Sequence, residues 1–219
     1  MQYQHFDAQN YEDFACGRVI YHKTGFPNFP VRLAGEIFLR CLQIRGKAQD
    51  KVVLYDPCCG GGYALTVLGF LCGDSIDAIY ASDISAEAVA LARENLGLLA
   101  PQGLARRKAQ LLELQAQFGK NSHAAALESI ARLQALANRN TPPPCTVFQA
   151  DIMDEAALSQ AQFQADIVFA DLPYGNLASW STQDPCAMDN LLRTLTPVLA
   201  DHAVVALCSD KVQKLHNPR

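Results

Sequence analysis

The sequence lacks the features of membrane and exported proteins. It has no apolar run near the ~20 residues that a bilayer span needs, and its first residues have neither a basic start nor an apolar signal core. It also contains no internal repeat and no low-complexity tract. Apolar residues make up 50% of the chain and charged residues 18%, which is typical of globular proteins. We therefore predict a soluble cytoplasmic protein, expected to be a monomer, with a full core within its 219 residues.

Metal-binding patterns are also missing. The eight cysteines show no Cys-x-x-Cys motif, and no Cys/His cluster has the spacing of a zinc site. Several of them lie inside apolar runs, where a reduced cysteine packs as a small apolar side chain. The sequence thus predicts neither disulfides nor a bound metal.

The net charge of −4 is unevenly distributed. Residues 1–51 carry seven basic and five acidic side chains, residues 101–140 carry six and two, and the remainder carries five and fifteen. The two basic segments could contact nucleic-acid phosphates, with Arg106, Arg107 and Lys108 as candidates. The alternative interpretation is an ordinary solvated helical surface.

Strands and helices alternate along most of the chain. Five apolar runs predict strands at 52–56, 78–83, 145–150, 166–171 and 203–208. Between them, helices are predicted at 63–72, 86–99, 155–162 and 188–199. This alternation predicts an α/β fold with three layers and a doubly wound, mostly parallel, Rossmann-like sheet. Its ligand site would lie beyond the carboxyl ends of the strands.

Two segments fall outside this alternation. Residues 1–50 form a predicted helical N-terminal extension, with a helix over 31–44 that begins after Pro30. Residues 51–219 then form the ligand-binding domain, interrupted by a predicted helical insertion at 101–140 that begins at Pro101. An insertion of this length between two strands suggests a function of its own.

The strongest motif is Asp56-Pro57-Cys58-Cys59-Gly60-Gly61-Gly62, between the first strand and its helix. Small residues at Cys58, Gly60 and Gly62 allow a tight turn and a close approach of backbone to ligand. A dinucleotide-binding fold would need a further glycine at position 65, where the chain has Leu65. With Asp56 before the glycines, the pattern is typical of a loop that binds S-adenosylmethionine, the methyl donor we expect.

Acidic residues end the next two predicted strands. Asp83 comes 21 residues after Gly62, the position from which an acid accepts both ribose hydroxyls, and Ile84 would pack on the adenine. At the next strand end, Asp151 is placed to accept from the adenine amino group, with Ile152 as an apolar wall. A helix-start acid is an equally good interpretation of Asp151.

The fourth predicted strand ends in Asp171-Leu172-Pro173-Tyr174-Gly175. A carboxylate at Asp171 and a backbone carbonyl at Leu172 or Pro173 can accept the hydrogens of a planar ring nitrogen and so make it a better nucleophile. Tyr174 can stack on a base taken out of its helix. Trp180, soon after, is predicted either to stack on RNA or to pack at the surface. Asp171, Pro173 and Tyr174 are the predicted catalytic residues.

Taken together, these motifs resemble the avilamycin-resistance rRNA guanine methyltransferases. The similarity lies in the 56–62 loop with the following Tyr63-Ala64-Leu65-Thr66-Val67-Leu68-Gly69, and in Asp171-Leu172-Pro173-Tyr174-Gly175. It extends to Gly25-Phe26-Pro27-Asn28-Phe29-Pro30-Val31-Arg32-Leu33-Ala34 and to Phe118-Gly119-Lys120, which are more specific to that family. The resemblance covers about residues 17–210.

The resemblance implies a class I methyltransferase fold, S-adenosylmethionine as donor, and methylation of one guanine of 23S rRNA in the large ribosomal subunit. In producing organisms such enzymes protect the ribosome from an orthosomycin antibiotic. It further implies that Arg32 approaches the donor carboxylate or an RNA phosphate. The chain departs from the family in having Gly61 where serine is common. It also lacks two further strands that normally follow the fifth, so we expect a chain that is cut short or whose end is replaced.

Three alternatives remain open at this point. A methyltransferase for an adenine or cytosine amino group in RNA or DNA would use the same Asp-x-Pro-Tyr motif. A nicotinamide-dependent oxidoreductase is disfavoured by Leu65. A non-catalytic RNA-binding module on a methyltransferase fold is disfavoured by the intact 171–174 motif.

Overall fold

The centre of the molecule is one parallel β-sheet. The computed structural model describes residues 3–46, 50–139, 141–154, 156–158, 161–172 and 187–209. Within them, five strands pair in the order β3-β2-β1-β4-β5. These strands are β1 (Val52–Asp56), β2 (Ile76–Asp83), β3 (Cys145–Gln149), β4 (Ala165–Asp171) and β5 (Leu199–Cys208).

The strand order reverses direction next to β1. Chain order runs outward from β1 to β3 on one side, and from β4 to β5 on the other. Such a reversal opens a cleft outside the carboxyl ends of the two central strands, where doubly wound proteins bind their ligands. β1 suits the central position, because Leu54 and Tyr55 are completely buried on opposite faces.

Helices cover both faces of the sheet. They are α1 (Val31–Arg45), α2 (Tyr63–Cys72), α3 (Ala86–Gly97), α4 (Pro101–Phe118), α5 (Asn121–Ala137) and α6 (Ala187–Leu195). One apolar core lies on the face with α1 to α5, and a smaller one lies on the face with α6. This is the three-layer, doubly wound architecture that the sequence predicts. None of the described helices is long and apolar enough to cross a membrane.

Local sequence explains where the helices begin and end. Pro30 precedes α1, and Pro101 opens α4, as expected for a residue with no N–H to donate. Ser85 caps α3 through its hydroxyl, which accepts a hydrogen bond from the amide of Ala88 at 3.3 Å. Gly119 ends α4 in the left-handed conformation.

The helix predicted over 155–162 is wrong in the described part of that segment. Residues 156–158 form a turn, and 161 and 162 have no regular structure. The carboxylate of Asp154 accepts the amide N–H of Ala156 at 2.9 Å, which offers the backbone a local turn in place of a helix.

Helices α4 and α5 form an antiparallel pair that packs on α2, α3 and the 3-10 turn Glu12–Phe14. Helix α4 crosses the end of α3 very closely at Gly103. A Cβ atom there would lie only 1.9 Å from the carbonyl oxygen of Gly97. A glycine is therefore required for this approach.

A buried carboxylate fixes the N-terminal segment to α1. Glu36 has no exposed surface, and its two oxygens accept the amide N–H groups of Gln4, His5 and Phe6 at 3.0, 2.8 and 3.0 Å. Arg40 pairs with the same carboxylate at 2.7 Å. Burial alone would raise the pKa of Glu36, but these donors outweigh it and lower the pKa to about 2.

The outer side of β3 is covered locally by side chains. Arg93 of α3 donates two hydrogen bonds to the carbonyl of Val147, at 3.3 and 3.0 Å. Residues 142–144, just before the strand, are three consecutive prolines, which have no N–H to offer a neighbouring strand.

Candidate active site

The glycine loop between β1 and α2 has a shape that only glycine allows. Gly60 and Gly62 have φ angles of 51° and 69°, in the left-handed region that other residues avoid. A Cβ on Gly62 would also lie 3.0 Å from the Cβ of Ala92. Asp56, only 4% exposed, supports the turn from beneath, because its carboxylate accepts the amide N–H of Cys58 at 2.9 Å.

Asp83 connects the loop to the end of β2. One oxygen accepts the amide of Gly60 and the other that of Ser85, both at 2.9 Å. A carboxylate has about four lone-pair sites, so Asp83 can still accept from a ligand. Ile84 beside it is 53% exposed, an apolar surface next to an acceptor. This pairing suits a nucleoside, with its flat apolar base and hydroxyl-bearing sugar.

The strand-end acids act electrostatically on one thiol. Burial raises the pKa of Cys58 well above its usual value, and the charges of Asp56, Asp83, Asp151 and Asp171 raise it further. The pKa of Asp56 is also raised, by burial first and then by Asp83 and Asp171. Because the strands are parallel, Asp56, Asp83, Asp151 and Asp171 all lie at the carboxyl edge of the sheet, where the negative potential favours a cationic ligand.

The other predicted acids of this edge follow β3 and end β4. Asp151 accepts the amide of Met153 at 2.9 Å, and Ile152 is buried in the core beneath it. Asp171 ends β4, and the next amide, of Leu172, donates to the carbonyl of Cys208 at 2.9 Å.

The other residues predicted after β4, namely Pro173, Tyr174 and Trp180, lie outside the described residues. Where the structure describes the chain, no group of His, Cys, Asp and Glu side chains could hold a metal ion.

The combination of a glycine loop, an acid after β2 and an acid after β4 agrees with the comparison to known families. The model of the family described as rRNA methyltransferase AviRa matches residues 1–219. The chain belongs to the AviRa family.

Its relatives are similar over most of their length. The 23S rRNA (guanine(2535)-N(1))-methyltransferase of Streptomyces viridochromogenes is 42% identical over 207 residues, which are 93% of this chain and 82% of that protein. Two solved structures of rRNA methyltransferase AviRa from the same organism, at 2.4 and 1.5 Å, match with TM-scores of 0.83 and 0.82. Both are 39% identical and cover 94% of this chain, which in turn covers 85% and 84% of theirs. The fold is therefore that of class I methyltransferases.

The stretch 25–34, predicted to be more specific to the family than the other motifs, runs beside the glycine loop. The ring of Phe26 lies 4.0 Å from where a Cβ on Gly60 would be. Phe29 packs edge-on against Phe169 of β4, with ring centroids 5.3 Å apart. Arg32 donates to the carbonyl of Phe6 at 3.2 Å. Its guanidinium lies over the ring of Tyr3, 4.0 Å from the ring centroid.

The three basic residues of the AviRa insertion have different surroundings. Arg106 and Lys108 are exposed on α4. Arg107 is half-buried, donates to the carbonyl of Val19 at 2.9 Å, and lies 4.3 Å above the ring of Tyr21. Burial lowers the pKa of Arg107. Its contacts hold the insertion to the N-terminal extension.

Sequence reasoning missed one residue that contacts the glycine loop of the candidate site. Asn95 of α3 is 1% exposed and donates to the carbonyl of Gly61 at 2.8 Å. A signal was present, because Asn95 is a polar residue on the apolar stripe of α3 that also contains Val89 and Ala92. Gly61 itself fits α3 closely, since a Cβ there would lie 2.7 Å from Leu91.

Proposed function

We propose that the protein transfers a methyl group from S-adenosylmethionine to N1 of one guanine in 23S rRNA. The observation that carries this proposal is family membership over the whole chain, together with 42% identity to a protein named 23S rRNA (guanine(2535)-N(1))-methyltransferase. The geometry of the carboxyl edge supports it, because the acids and the glycine loop lie at the same edge of the sheet.

The chain's own residues suit the donor. Gly60 leaves room for a ligand to approach the backbone, whereas Gly62 lets the loop pack closely on Ala92 of α3. Asp83 would accept hydrogen bonds from the ribose hydroxyls, and Ile84 would cover one face of the adenine. Asp151 would accept a hydrogen bond from the adenine amino group. When bound, S-adenosylmethionine supplies an electrophilic methyl group on a positively charged sulfur, and the acidic edge stabilises that charge.

The substrate side of the proposal rests on the end of β4. N1 of guanine carries a hydrogen that must leave when the new N–CH3 bond forms. Asp171 would accept that proton or orient the N1–H group, together with the backbone carbonyl of Leu172 or Pro173. Tyr174 would stack on the base.

Contacts further along the RNA belong to the same proposal. Arg106 and Lys108 would meet RNA phosphates, because they are exposed basic residues on α4. Trp180 would stack on the RNA, and Arg32 would approach an RNA phosphate or the donor carboxylate. Protection against an orthosomycin antibiotic would follow if the modified guanine lies where such a drug binds.

The first test is transfer of tritium from labelled S-adenosylmethionine into deproteinised 23S rRNA that lacks the modification. Parallel reactions contain 16S rRNA, tRNA and DNA. We expect label only in 23S rRNA, at one guanine, in a product that mass spectrometry identifies as 1-methylguanosine. Label in DNA or in another RNA, with none in 23S rRNA, would refute the substrate assignment.

Two variants on the same strand test the catalytic assignment. Asp171→Asn removes the proposed acceptor at the carboxyl end of β4, and we expect methyl transfer to fall at least 100-fold, about the contribution of one general base. Asp166→Asn makes the same change at the opposite end of β4, where the carboxylate holds Arg45 and the amide of Val53. If both variants fold and Asp171→Asn transfers methyl as fast as wild type, the role of Asp171 is refuted.

A further inference from the structure

The glycine loop needs support from outside itself. Three consecutive glycines have more accessible backbone conformations than any other tripeptide, so holding them in one shape is costly in entropy. Loop and strand contacts fix part of the segment, since Cys59 donates to the carbonyl of Ser82 at 2.9 Å and Gly62 to that of Cys59 at 2.8 Å. These contacts leave the peptide carbonyl of Gly61 to be fixed by another group.

That group is the side chain of Asn95. Its amide nitrogen donates to the carbonyl oxygen of Gly61 at 2.8 Å and to that of Tyr21 at 3.1 Å. Its amide oxygen accepts the backbone N–H of Tyr21 at 2.8 Å. Both N–H groups of the amide are therefore used, which fixes its orientation. With 1% exposure, water cannot easily replace these bonds.

The same contacts connect the loop with the helical insertion. The hydroxyl of Tyr21 donates to the side chain of Gln110 on α4 at 2.8 Å. Arg107, also on α4, covers the ring of Tyr21. A chain of direct contacts therefore runs from α4 through Tyr21 and Asn95 to Gly61.

We propose that Asn95 is a positioning residue for the donor: it holds the Gly61 carbonyl toward α3, which leaves the loop in the shape that receives S-adenosylmethionine. This inference rests on the proposed function, because it assumes that the loop binds this donor. Asn95 itself does not touch the ligand. Its effect is preorganisation, so its loss weakens donor binding more than it slows transfer at saturating donor.

The test compares two variants of Asn95 with a control. Asn95→Ala removes all three hydrogen bonds, and Asn95→Asp keeps the size but turns an oxygen toward two carbonyl oxygens. Asn95→Ser, which leaves a hydroxyl and space for a water molecule, replaces the alanine variant if that does not fold. The control is Thr194→Val, which removes one buried hydrogen bond, 3.1 Å to the carbonyl of Asn190, in α6.

Calorimetry measures the affinity for S-adenosylmethionine and for S-adenosylhomocysteine. We expect Kd to rise roughly tenfold or more in the Asn95 variants, kcat at saturating donor to change less than about threefold, and Thr194→Val to match wild type within about twofold. An unchanged Kd in a folded Asn95 variant, or an equal rise in Thr194→Val, would overturn the inference.

Hydrogen exchange separates this inference from the proposed function. If wild type bound no S-adenosylmethionine, the proposed function would fail, but the loop could still be examined directly. We expect the amides of residues 59–62 to exchange faster in Asn95→Ala than in Thr194→Val. Equal exchange in the two variants would overturn the positioning role whatever the donor.

Discussion

Replacing Gly103 by alanine should destabilise the protein, although it places a better helix former in a helix. Alanine is favoured over glycine in helices by up to about 1 kcal/mol. At Gly103, however, the new Cβ would lie 1.9 Å from the carbonyl oxygen of Gly97 and 3.1 Å from the amide nitrogen of Leu98. Both are backbone atoms, so no side-chain rotation relieves the overlap.

The size of the effect follows from this overlap. Adding a methyl group to a filled site costs about 1–3 kcal/mol, and a contact with fixed backbone belongs at the upper end. After subtracting the gain in helix propensity, we expect a net loss of about 2 kcal/mol in the free energy of unfolding. For a chain of this size, that corresponds to a decrease in Tm of about 4–8 °C.

Gly97→Ala is the matched control, because it makes the same change on the other side of the same crossing. A Cβ on Gly97 would meet only the end of the flexible Arg106 side chain, at 4.0 Å. We expect its free energy of unfolding to match or exceed that of wild type, by at most about 1 kcal/mol. Urea unfolding followed by circular dichroism measures both variants. If Gly103→Ala were as stable as Gly97→Ala, the close crossing of α3 and α4 would be wrong.

Three further predictions concern charged and titratable groups. Glu36 has a pKa of about 2 in the folded protein, lower than in an unfolded chain, so its stabilisation is present above pH ~4.5 and is lost as the pH falls toward 2. The free energy of unfolding of Glu36→Gln should therefore change less than that of wild type between pH 5 and 2. Identical pH dependence of the two proteins in acid unfolding would contradict this. Asp83→Asn keeps one acceptor oxygen for two backbone amides, so we expect the affinity for S-adenosylhomocysteine to fall by at least about tenfold. Calorimetry measures this affinity, and an unchanged value would show that Asp83 is not part of the donor site. Because burial and four carboxylates raise the pKa of Cys58, iodoacetamide at pH 8 should alkylate it at least about tenfold more slowly than glutathione. Peptide mass spectrometry follows the reaction, and a rate equal to that of glutathione would contradict the raised pKa.

Local patterns in the sequence were sufficient for much of the sheet. The first strand and α2 begin and end where the apolar runs predict them, because most of their residues are apolar. The last helix was predicted to run from 188 to 199, but α6 ends at Leu195 and a 3-10 turn with Pro197 follows. Proline lacks the N–H that a continuing helix needs, so this boundary could have been predicted.

Contacts between distant segments could not be predicted in the same way. Asn95 is 34 residues from Gly61 and 74 from Tyr21, and no pattern in α3 identifies these two partners. Arg107 illustrates the same point, since within the sequence it resembles its neighbours Arg106 and Lys108. Only the position of α4 against Tyr21 distinguishes it from them. The acids at the strand ends were easier to predict, because the topology of a parallel sheet brings them to one edge.

The covered outer side of β3 has a consequence for the protein in concentrated solution. A bare strand at a sheet margin can recruit the same strand of a second molecule and so begin fibrillar growth. Here the carbonyl of Val147 already accepts hydrogen bonds from two side-chain nitrogens of Arg93. The prolines before the strand have no N–H group to donate. A neighbouring chain would have to break this pair of bonds before it could pair with the Val147 carbonyl. Arg93 thus blocks part of this edge against pairing with a second molecule.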